Sequence, residues 1–476
     1  MEFLQSAMAL KEDMVRDRRY LHQNPEIGME LSKTTDYVMT RLNEMGYEAK
    51  RVGKSGVTAL LTGKKAGKCA DGVDEASETG GVFLLRADMD ALPMKEMSGL
   101  PFSSDGDCAH TCGHDMHTAM LLGAAKLLKE AEAELPGMVK FMFQPGEETL
   151  AGARDMIAHG ILENPKVDAA MGGHMMPMAP VGMVSYGKGC VSASSDHIII
   201  TITGKGGHGA HPQDTIDPIN IGVHIHLALQ ELLSREVSPL ESVVLTFGKF
   251  TGGDAANIIP ASLVMEGTLR TFNEKLRTHL LERINEICEC TAKAFRGSAV
   301  AEIKGSTCSL QIDSKTADII AEGWKKEEGL TTVLSEYKMS GSEDFAEIAK
   351  LVPSSFFVLG GGTAADGCHV GLHNPAIVLS EASLPYGAAA YASGAAAWLQ
   401  AYSATNGCRI KRVGKSPNKE TIVMEKNEAF LVDPNHVEFS KRELLDSSIT
   451  HLDKQSNVTH HMHTNVDDES DSDKDA

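Results

Sequence analysis

The chain has 476 residues, of which 42% are apolar, and a formal net charge of −20 at pH 7. This length predicts two domains. The negative charge argues against nucleic acid as a partner. The sequence contains no apolar run of about 18 residues, so we expect no membrane span. No basic segment precedes an apolar stretch at the N-terminus, so we expect no signal peptide. Nine scattered cysteines favour a reducing compartment, and we expect the cytoplasm.

Two helices and a strand are predicted at the start of the chain. The first helix covers 3–24 and ends before Pro25, and the second runs from an N-cap at Ser32 to Met45. A strand and turn follow over 53–63. Residues 64–80 are polar and poor in apolar side chains, so we expect an exposed loop.

Polar groups follow each of three apolar strands that alternate with predicted helices. That alternation is typical of an α/β sheet, whose sites lie at the carboxyl edge of its strands. The strands cover 82–86, 138–143 and 167–171, and the polar residues just after them are Asp88 and Asp90, Glu147 and Glu148, and His174.

A cluster of metal-capable residues lies between the first two of these strands. Cys112, His114, Asp115 and His117 fall within six residues, ahead of apolar residues at helical spacing. Gly113 allows a tight turn between the first two. Thiolate and imidazole suit zinc and its neighbours. We favour a metal site here; the alternative is a buried free cysteine beside ordinary histidines at a helix start.

The pattern changes after Gly187. Strand, helix, strand, strand, helix and strand follow in the order of a small α+β sandwich of the ferredoxin-like type. The strands are predicted over 196–203, 242–249, 262–271 and 298–304, and the helices over 217–235 and 273–295. We therefore predict a second domain, 188–303, inserted between two parts of the first, 1–187 and 304–403.

The first domain then resumes with a helix near 316–328, a polar turn at 339–345 and a strand at 355–360. His373 adds one more candidate ligand, and a helix rich in small residues covers 384–401. Apolar periodicity fails after about Ala404. The acidic segment 404–476, which contains a histidine cluster, is predicted to be disordered.

Two metal ions fit the candidate ligands better than one. Five ligands of sulfur, nitrogen and oxygen type exceed a closed tetrahedral site and suit two metals about 3.5–4 Å apart; they are Cys112, His114, Glu148, His174 and His373. Glu147 is free to take a proton from water while its neighbour binds metal.

The inserted domain offers three groups for substrate. His208, in a glycine-rich loop, is a donor for an oxyanion if the domains close. Asn257 and Arg270 are polar groups suited to holding a carboxylate. Each of the three is also compatible with an ordinary surface or structural role.

The sequence resembles the M20 metallopeptidase family, in the amidohydrolase branch that contains hippurate, N-acyl-amino-acid and auxin-conjugate hydrolases. The matching motifs occur in family order over roughly residues 10–402. They are LLRADMDALP (84–93), CGHDMHTAMLLGAA (112–125), FQPGEE (143–148), GGH (172–174), GKGGHGAHP (204–212), NIIP (257–260), GTLR (267–270), SGSEDF (340–345) and GLHNP (371–375).

The resemblance implies a mixed-sheet hydrolase domain that binds two divalent metals, zinc or manganese, with cobalt as a substitute in vitro. It also implies a smaller inserted domain through which two chains form a homodimer. Carried over by position, Cys112, His114, Glu148, His174 and His373 are the metal ligands. Glu147 is then the general base, His208 the transition-state histidine, sometimes given by the partner subunit, and Asn257 and Arg270 contact the substrate carboxylate.

The favoured function is hydrolysis of the amide bond of a small-molecule N-acyl amino acid, with neither membrane nor nucleic acid involved. Two alternatives stay open. One is a dipeptidase or carboxypeptidase on the same scaffold, because a peptide is also an N-acylated amino acid. The other is a catalytically inactive relative that binds a metal or metabolite. The intact ligand set with Glu147 argues against inactivity.

Overall fold

The computed structural model describes residues 2–65 and 80–413, with the backbone alone for 406–413. Most of the predicted 64–80 loop and the acidic segment after residue 413 lie outside the described residues. The helices are α1 Phe3–Ala9, α2 Lys11–Gln23, α3 Ser32–Glu44, α4 His114–Glu130, α5 Gly152–Ala158, α6 Pro218–Arg235, α7 Glu274–Ala294, α8 Ser314–Trp324, α9 Ala346–Ala349 and α10 Leu384–Val413.

Sixteen strands are present in the described part of the chain. They are β1 Lys50–Val52, β2 Gly56–Thr62, β3 Val82–Asp88, β4 Met138–Gln144, β5 Ala169–Met176, β6 Met183–Tyr186, β7 Gly189–Ser192, β8 Ser195–Thr203, β9 Gly207–His208, β10 Val243–Thr251, β11 Ile258–Ile259, β12 Ser262–Thr271, β13 Ser298–Thr307, β14 Leu310–Ile312, β15 Thr331–Leu334 and β16 Ser354–Gly360.

The larger sheet is mixed and has the order β1-β2-β4-β3-β5-β16-β6-β15. Its centre is parallel: β3 pairs with β4 and β5, and β5 pairs with β16. Every residue of β3 and β4 is buried, including Arg86 in β3 and Lys140 in β4, as expected for mainly apolar strands that are covered on both faces. Helix α4 packs against α2 and α10 beside this sheet. The α/β class with a mixed sheet is therefore confirmed.

The smaller sheet is antiparallel and has the order β10-β12-β8-β13. Helices α6 and α7 pack against it and enclose a separate apolar core. Strand β8 alternates buried and more exposed residues, because only one face of the sheet is covered. This is the predicted ferredoxin-like arrangement. The boundaries 188 and 303 stay predictions; the four strands run from Ser195 to Thr307.

Several element bounds differ from the sequence prediction. The first predicted helix is two helices, which meet at Leu10. Helix α10 continues past Ala401 to Val413. The pattern of small residues ends near Ala401 because it marks the part of the helix that packs against other elements, and the helix itself extends further. Short strands β6, β7, β14 and β15 were not predicted. Among the described helices, none is both long and apolar enough to cross a membrane.

A buried ion pair joins three elements of the smaller domain. The fully buried Asp196 carboxylate, on β8, accepts from Arg277 Nε and Nη2, both at 2.8 Å. Ser306 on β13 donates to the same carboxylate at 2.8 Å. Arg277 lies on α7, so this pair ties the helix to two strands.

We expect Arg277→Met to lower the free energy of unfolding by about 3 kcal/mol, because it leaves the Asp196 carboxylate buried without its cation. Urea denaturation measures the change. Arg283→Met is the matched control on the same helix, since Arg283 pairs with Glu236 at the surface. Equal losses in the two variants would contradict a special role for the buried pair.

Candidate metal centre

Five potential ligand atoms converge at the carboxyl edge of the larger sheet. Cys112 Sγ lies 3.4 Å from His174 Nε2 and 3.3 Å from His373 Nε2. Glu148 Oε1 lies 3.3 Å from His373 Nε2 and 4.0 Å from His114 Nε2. The atoms form two compact groups that share the thiol, Cys112 with His114 and His174, and Cys112 with Glu148 and His373.

Backbone geometry at two positions brings these side chains together. Gly113 is the N-cap of α4 and has φ +90°, which places Cys112 one residue before the cap and His114 at the first helical position. A Cβ at Gly113 would lie 2.9 Å from Leu379 Cδ1. The loop that carries His373 is held by its N–H, which donates to the Thr111 carbonyl at 2.9 Å.

The imidazoles are oriented so that Nε2 faces the cluster. His114 Nδ1 lies 2.8 Å from the Asp90 carbonyl and His174 Nδ1 lies 2.8 Å from the Met175 carbonyl. A carbonyl only accepts, so Nδ1 carries a proton in each ring, and Nε2 is the nitrogen whose lone pair is available to a cation when the ring is neutral. His114 Nε2 and Glu148 Oε1 are buried and have no hydrogen-bond partner among the described residues. Buried atoms of this kind, together with a thiol, fit a bound cation.

Asp90 orients this loop and is not one of the converging groups. Its two carboxylate oxygens accept the backbone N–H groups of Glu147 at 3.0 Å and Glu148 at 3.2 Å. Its backbone carbonyl also accepts from His114. One buried aspartate thus positions two candidate ligands and the adjacent glutamate.

His117 is metal-capable in sequence, but both of its nitrogens are engaged. Nδ1 donates to Asp88 Oδ1 at 2.6 Å, and Nε2 accepts from the Met175 N–H at 2.9 Å. Burial lowers the pKa of His117 to about 4, which matches a neutral ring that accepts at Nε2. Although burial opposes ionisation, His114, His117 and Arg86 hold the pKa of Asp88 well below its usual range.

Arg86 lies directly behind the cluster and was missed as a functional residue from sequence. Its guanidinium is fully buried and donates to Asp88 Oδ2 at 2.8 Å, Glu343 Oε1 at 2.7 Å and Asp344 Oδ1 at 2.9 Å. Nε donates to Gln144 at 2.9 Å. The available signal was an arginine inside an otherwise apolar strand, because such a charge requires buried partners.

Glu147 is buried beside the ligands without a cationic hydrogen-bond partner among the described residues. The Glu147 carboxylate lies close to the carboxylates of Glu343 and Asp344. Burial raises the pKa of Glu147 well above its usual range, and the two neighbouring acids raise it further. Burial likewise raises the pKa of Asp344 to about 7. A carboxylate with a raised pKa is suited to accepting a proton near neutral pH.

A cavity of about 530 Å³ opens over these groups, and the inserted domain contributes Arg270 to its wall. Arg270 Nη1 donates to the Ser340 carbonyl of the larger domain at 3.2 Å. Neither His208 nor Asn257 is among the described residues that line this cavity. His208 is exposed on β9, and its Nδ1 accepts from the Ala210 N–H at 3.1 Å.

A second buried polar cluster braces the start of α4 against α2. Asp115 accepts from Arg18 at 2.9 Å and contacts His22 Nδ1 at 2.8 Å. The other ring nitrogen of His22 lies 2.9 Å from Glu96. Although burial opposes it, Asp115 raises the pKa of His22 to about 9. Asp115 and Glu96 are more than 70 residues from His22 in the sequence, so only the folded chain shows these contacts.

Comparison with known proteins agrees with this geometry. The sequence model of peptidase family M20/M25/M40 matches residues 84–396. An N-acetyl-L-cysteine deacetylase of Bacillus subtilis is 37% identical over 377 residues, covering 79% of this chain and 85% of the relative. The IAA-amino acid hydrolase ILR1-like 4 of Arabidopsis thaliana is 37% identical over 392 residues, 81% and 86% of the two chains.

A solved structure is similar over most of the chain. It is a dinuclear metal binding peptidase of family M20 from Bacillus subtilis, with a TM-score of 0.69 and 32% sequence identity. The similarity covers 83% of this chain and 99% of that chain. A match of this extent supports the described fold.

We expect Asp90→Asn to weaken metal binding about 10–100-fold, the usual effect of removing a group that orients ligands. An amide offers one acceptor oxygen where the carboxylate has two, so one N–H of the Glu147–Glu148 pair loses its partner. Competition with a chromophoric chelator measures the affinity. Asp105→Asn, at an exposed position, is the control. Unchanged affinity in Asp90→Asn would contradict the orienting role.

Proposed function

The chain belongs to peptidase family M20/M25/M40, and from this membership we propose that it hydrolyses the amide bond of N-acyl amino acids. The products are a carboxylic acid and a free amino acid. Relatives whose names state N-acetyl-L-cysteine deacetylation and IAA-amino acid hydrolysis support this substrate class. The observation that carries the proposal is the convergence of five ligand atoms, in two groups that share Cys112, beside the buried Glu147.

We propose that two divalent metal ions are held by this ligand set, with zinc or manganese as the native metals and cobalt as a substitute. The proposed ligands are Cys112, His114, Glu148, His174 and His373. One thiolate, three imidazoles and one carboxylate form a set of intermediate softness, which suits these metals. When bound, the two ions activate a water molecule and polarise the substrate carbonyl.

Glu147 is the proposed general base. Its carboxylate takes a proton from the attacking water as the new C–O bond forms. The same proton is then delivered to the amide nitrogen as the C–N bond breaks, so that the amino acid leaves as a neutral amine group before it equilibrates with solvent. Burial and the neighbouring acids Glu343 and Asp344 support this role, because they raise the pKa of Glu147 and so favour its protonated form.

The inserted domain is proposed to recognise the rest of the substrate. Arg270, which lines the cavity, binds the free α-carboxylate through its guanidinium. Asn257 adds a further donor, and His208 stabilises the oxyanion. Because His208 and Asn257 do not line the cavity of their own chain, we propose that the partner subunit of a homodimer in the cytoplasm supplies them.

A dipeptidase or carboxypeptidase is the second candidate, favoured by the family's description as peptidases. The deciding experiment incubates the metal-loaded enzyme with N-acyl amino acids and with dipeptides of the same C-terminal residue. Release of free amino acid from the N-acyl compounds at a higher kcat/KM is the expected result. Exclusive cleavage of dipeptides would replace the proposed function by the second candidate, and cleavage of neither would favour the inactive relative.

Glu147→Gln should retain bound metal and lose turnover by about 10²–10⁴-fold, because the amide cannot accept the water proton. Metal content by mass spectrometry and steady-state rates on an N-acyl amino acid are the two measurements. Glu134→Gln, at an exposed position, is a matched control with the same chemical change. Near-normal turnover in Glu147→Gln would exclude it as the base.

A mixed dimer tests whether His208 acts across the subunit interface. His208→Ala and Glu147→Gln homodimers should both be nearly inactive. A heterodimer of the two, isolated with two affinity tags, should recover about half of the parent turnover, since one of its two sites then combines intact residues from both chains. A heterodimer as inactive as both homodimers would mean that His208 acts only within its own chain.

A further inference from the structure

The cavity of about 530 Å³ over the candidate ligands is called the metal cleft from here on. A smaller cavity of about 130 Å³ opens beside it, and we call this one the side pocket. It shares four lining residues with the cleft, Met176, Met339, Phe356 and Val358, so the two spaces meet along one wall. None of the described residues that line the side pocket is charged. Its remaining walls are aliphatic or aromatic apart from one glycine and two serines.

The side pocket lies next to a candidate metal ligand in the sheet. Val358 on β16 pairs with His174 on β5, and Ser185 on β6 pairs with Val358. Residues paired in register project from the same face of a sheet, and neighbouring strands are about 4.8 Å apart. The pocket therefore begins one strand from His174, and Ser185 lies about 10 Å from it across the sheet.

We propose that the side pocket binds the acyl group of the substrate and that the preferred acyl group is a bulky apolar one. This inference rests on the proposed amide hydrolysis. The carbonyl carbon must lie at the ligand cluster, and the acyl group extends directly from that carbon. The amino-acid half instead carries a carboxylate, which requires a cation; Arg270 lines the cleft but not the side pocket.

The lining chemistry defines the class of acyl group. Three methionines, Met176, Met183 and Met339, give a wall that adapts to different apolar shapes. Tyr337 is 70% exposed although it lines the pocket, so a bound acyl group would cover an aromatic ring that is now open to solvent. A chain or aryl group about 10 Å long spans the row from His174 to Ser185, whereas an acetyl group leaves the pocket unused.

The first experiment compares acyl groups on one amino acid. N-acetyl-, N-octanoyl- and N-phenylacetyl-L-alanine are assayed with the metal-loaded parent enzyme. Each buried methylene is worth roughly three- to fourfold in affinity, so we expect kcat/KM at least about tenfold higher for the two bulky substrates than for the acetyl compound. Equal or better hydrolysis of the acetyl compound would overturn the inference while leaving the proposed function intact. Hydrolysis of none of the three would overturn the proposed function itself.

The second experiment fills the side pocket. Ser185→Phe adds a ring that points into it and should lower kcat/KM for N-octanoyl-L-alanine by at least about tenfold. Activity on the acetyl compound should stay within about threefold of the parent, which also reports a correct fold. Leu334→Phe is the matched control on the neighbouring strand β15, since Leu334 is 54% exposed and does not line the pocket.

Two outcomes of the second experiment contradict the inference. Unchanged octanoyl hydrolysis in Ser185→Phe would show that the acyl group lies elsewhere. A change in the preference between N-acetyl-alanine and N-acetyl-leucine, with no change between acetyl- and octanoyl-alanine, would assign the pocket to the amino-acid side chain. If Ser185→Phe does not fold, the acyl series on the parent enzyme still decides.

Discussion

The guanidinium of Arg86 has no exposure to solvent, and three segments that form the metal cleft converge on it. It binds Asp88 at the end of its own strand, Gln144 at the end of β4, and both acids of the turn at 343–344. Removing one partner from a buried charge cluster costs about 3–5 kcal/mol. The strands and the turn are therefore held in one arrangement, and Glu147, whose carboxylate lies beside those of Glu343 and Asp344, is positioned by it.

A chain of hydrogen bonds connects Arg86 to the strand that carries the candidate ligand His174. Asp88 accepts from His117, and His117 in turn accepts from the backbone of Met175, the residue after His174. Asp90, two residues further along, holds the loop of Glu147 and Glu148. The buried charge of Arg86 and the groups that orient the candidate ligands are thus part of one buried polar region. Hydrogen bonds around the ligands commonly fix ligand orientation in metal centres.

The two domains divide the work of the proposed reaction. The larger domain carries the candidate ligand atoms, the buried Glu147 and the side pocket. Glu147, Glu148 and His174 lie on or just after strands, whereas Cys112 and His114 lie at the start of α4 and His373 lies in a loop. The inserted domain contributes Arg270 to the cavity wall, while His208 on β9 and Asn257 just before β11 are exposed. A cleft that is rigid on one side and supplied with donors from a separate domain can admit substrate before the donors engage.

Sequence by itself determined the class of fold and the residues that gather at the site. The buried strands β3 and β4 and the alternating strand β8 follow from local patterns, because a strand's apolar period reports how many of its faces are covered. Cys112, His114, Glu148 and His174 were predicted from their positions at strand ends and a helix start, and their atoms lie together. His373, which follows neither a predicted strand end nor a helix start directly, was added as one more candidate ligand and was assigned by the family resemblance.

Only the tertiary structure decided what each polar group contacts. His114 and His117 lie three residues apart on one helix. His114 Nε2 has no hydrogen-bond partner among the described residues, whereas the two ring nitrogens of His117 are hydrogen-bonded to Asp88 and Met175. Arg86 binds Glu343 and Asp344, more than 250 residues away. The side pocket likewise combines Met176 and Ser185 with the distant Val358. Periodicity depends on neighbours in sequence, whereas hydrogen bonds, ligation and cavities depend on atoms within about 3–4 Å in space, and that proximity exists only in the folded chain.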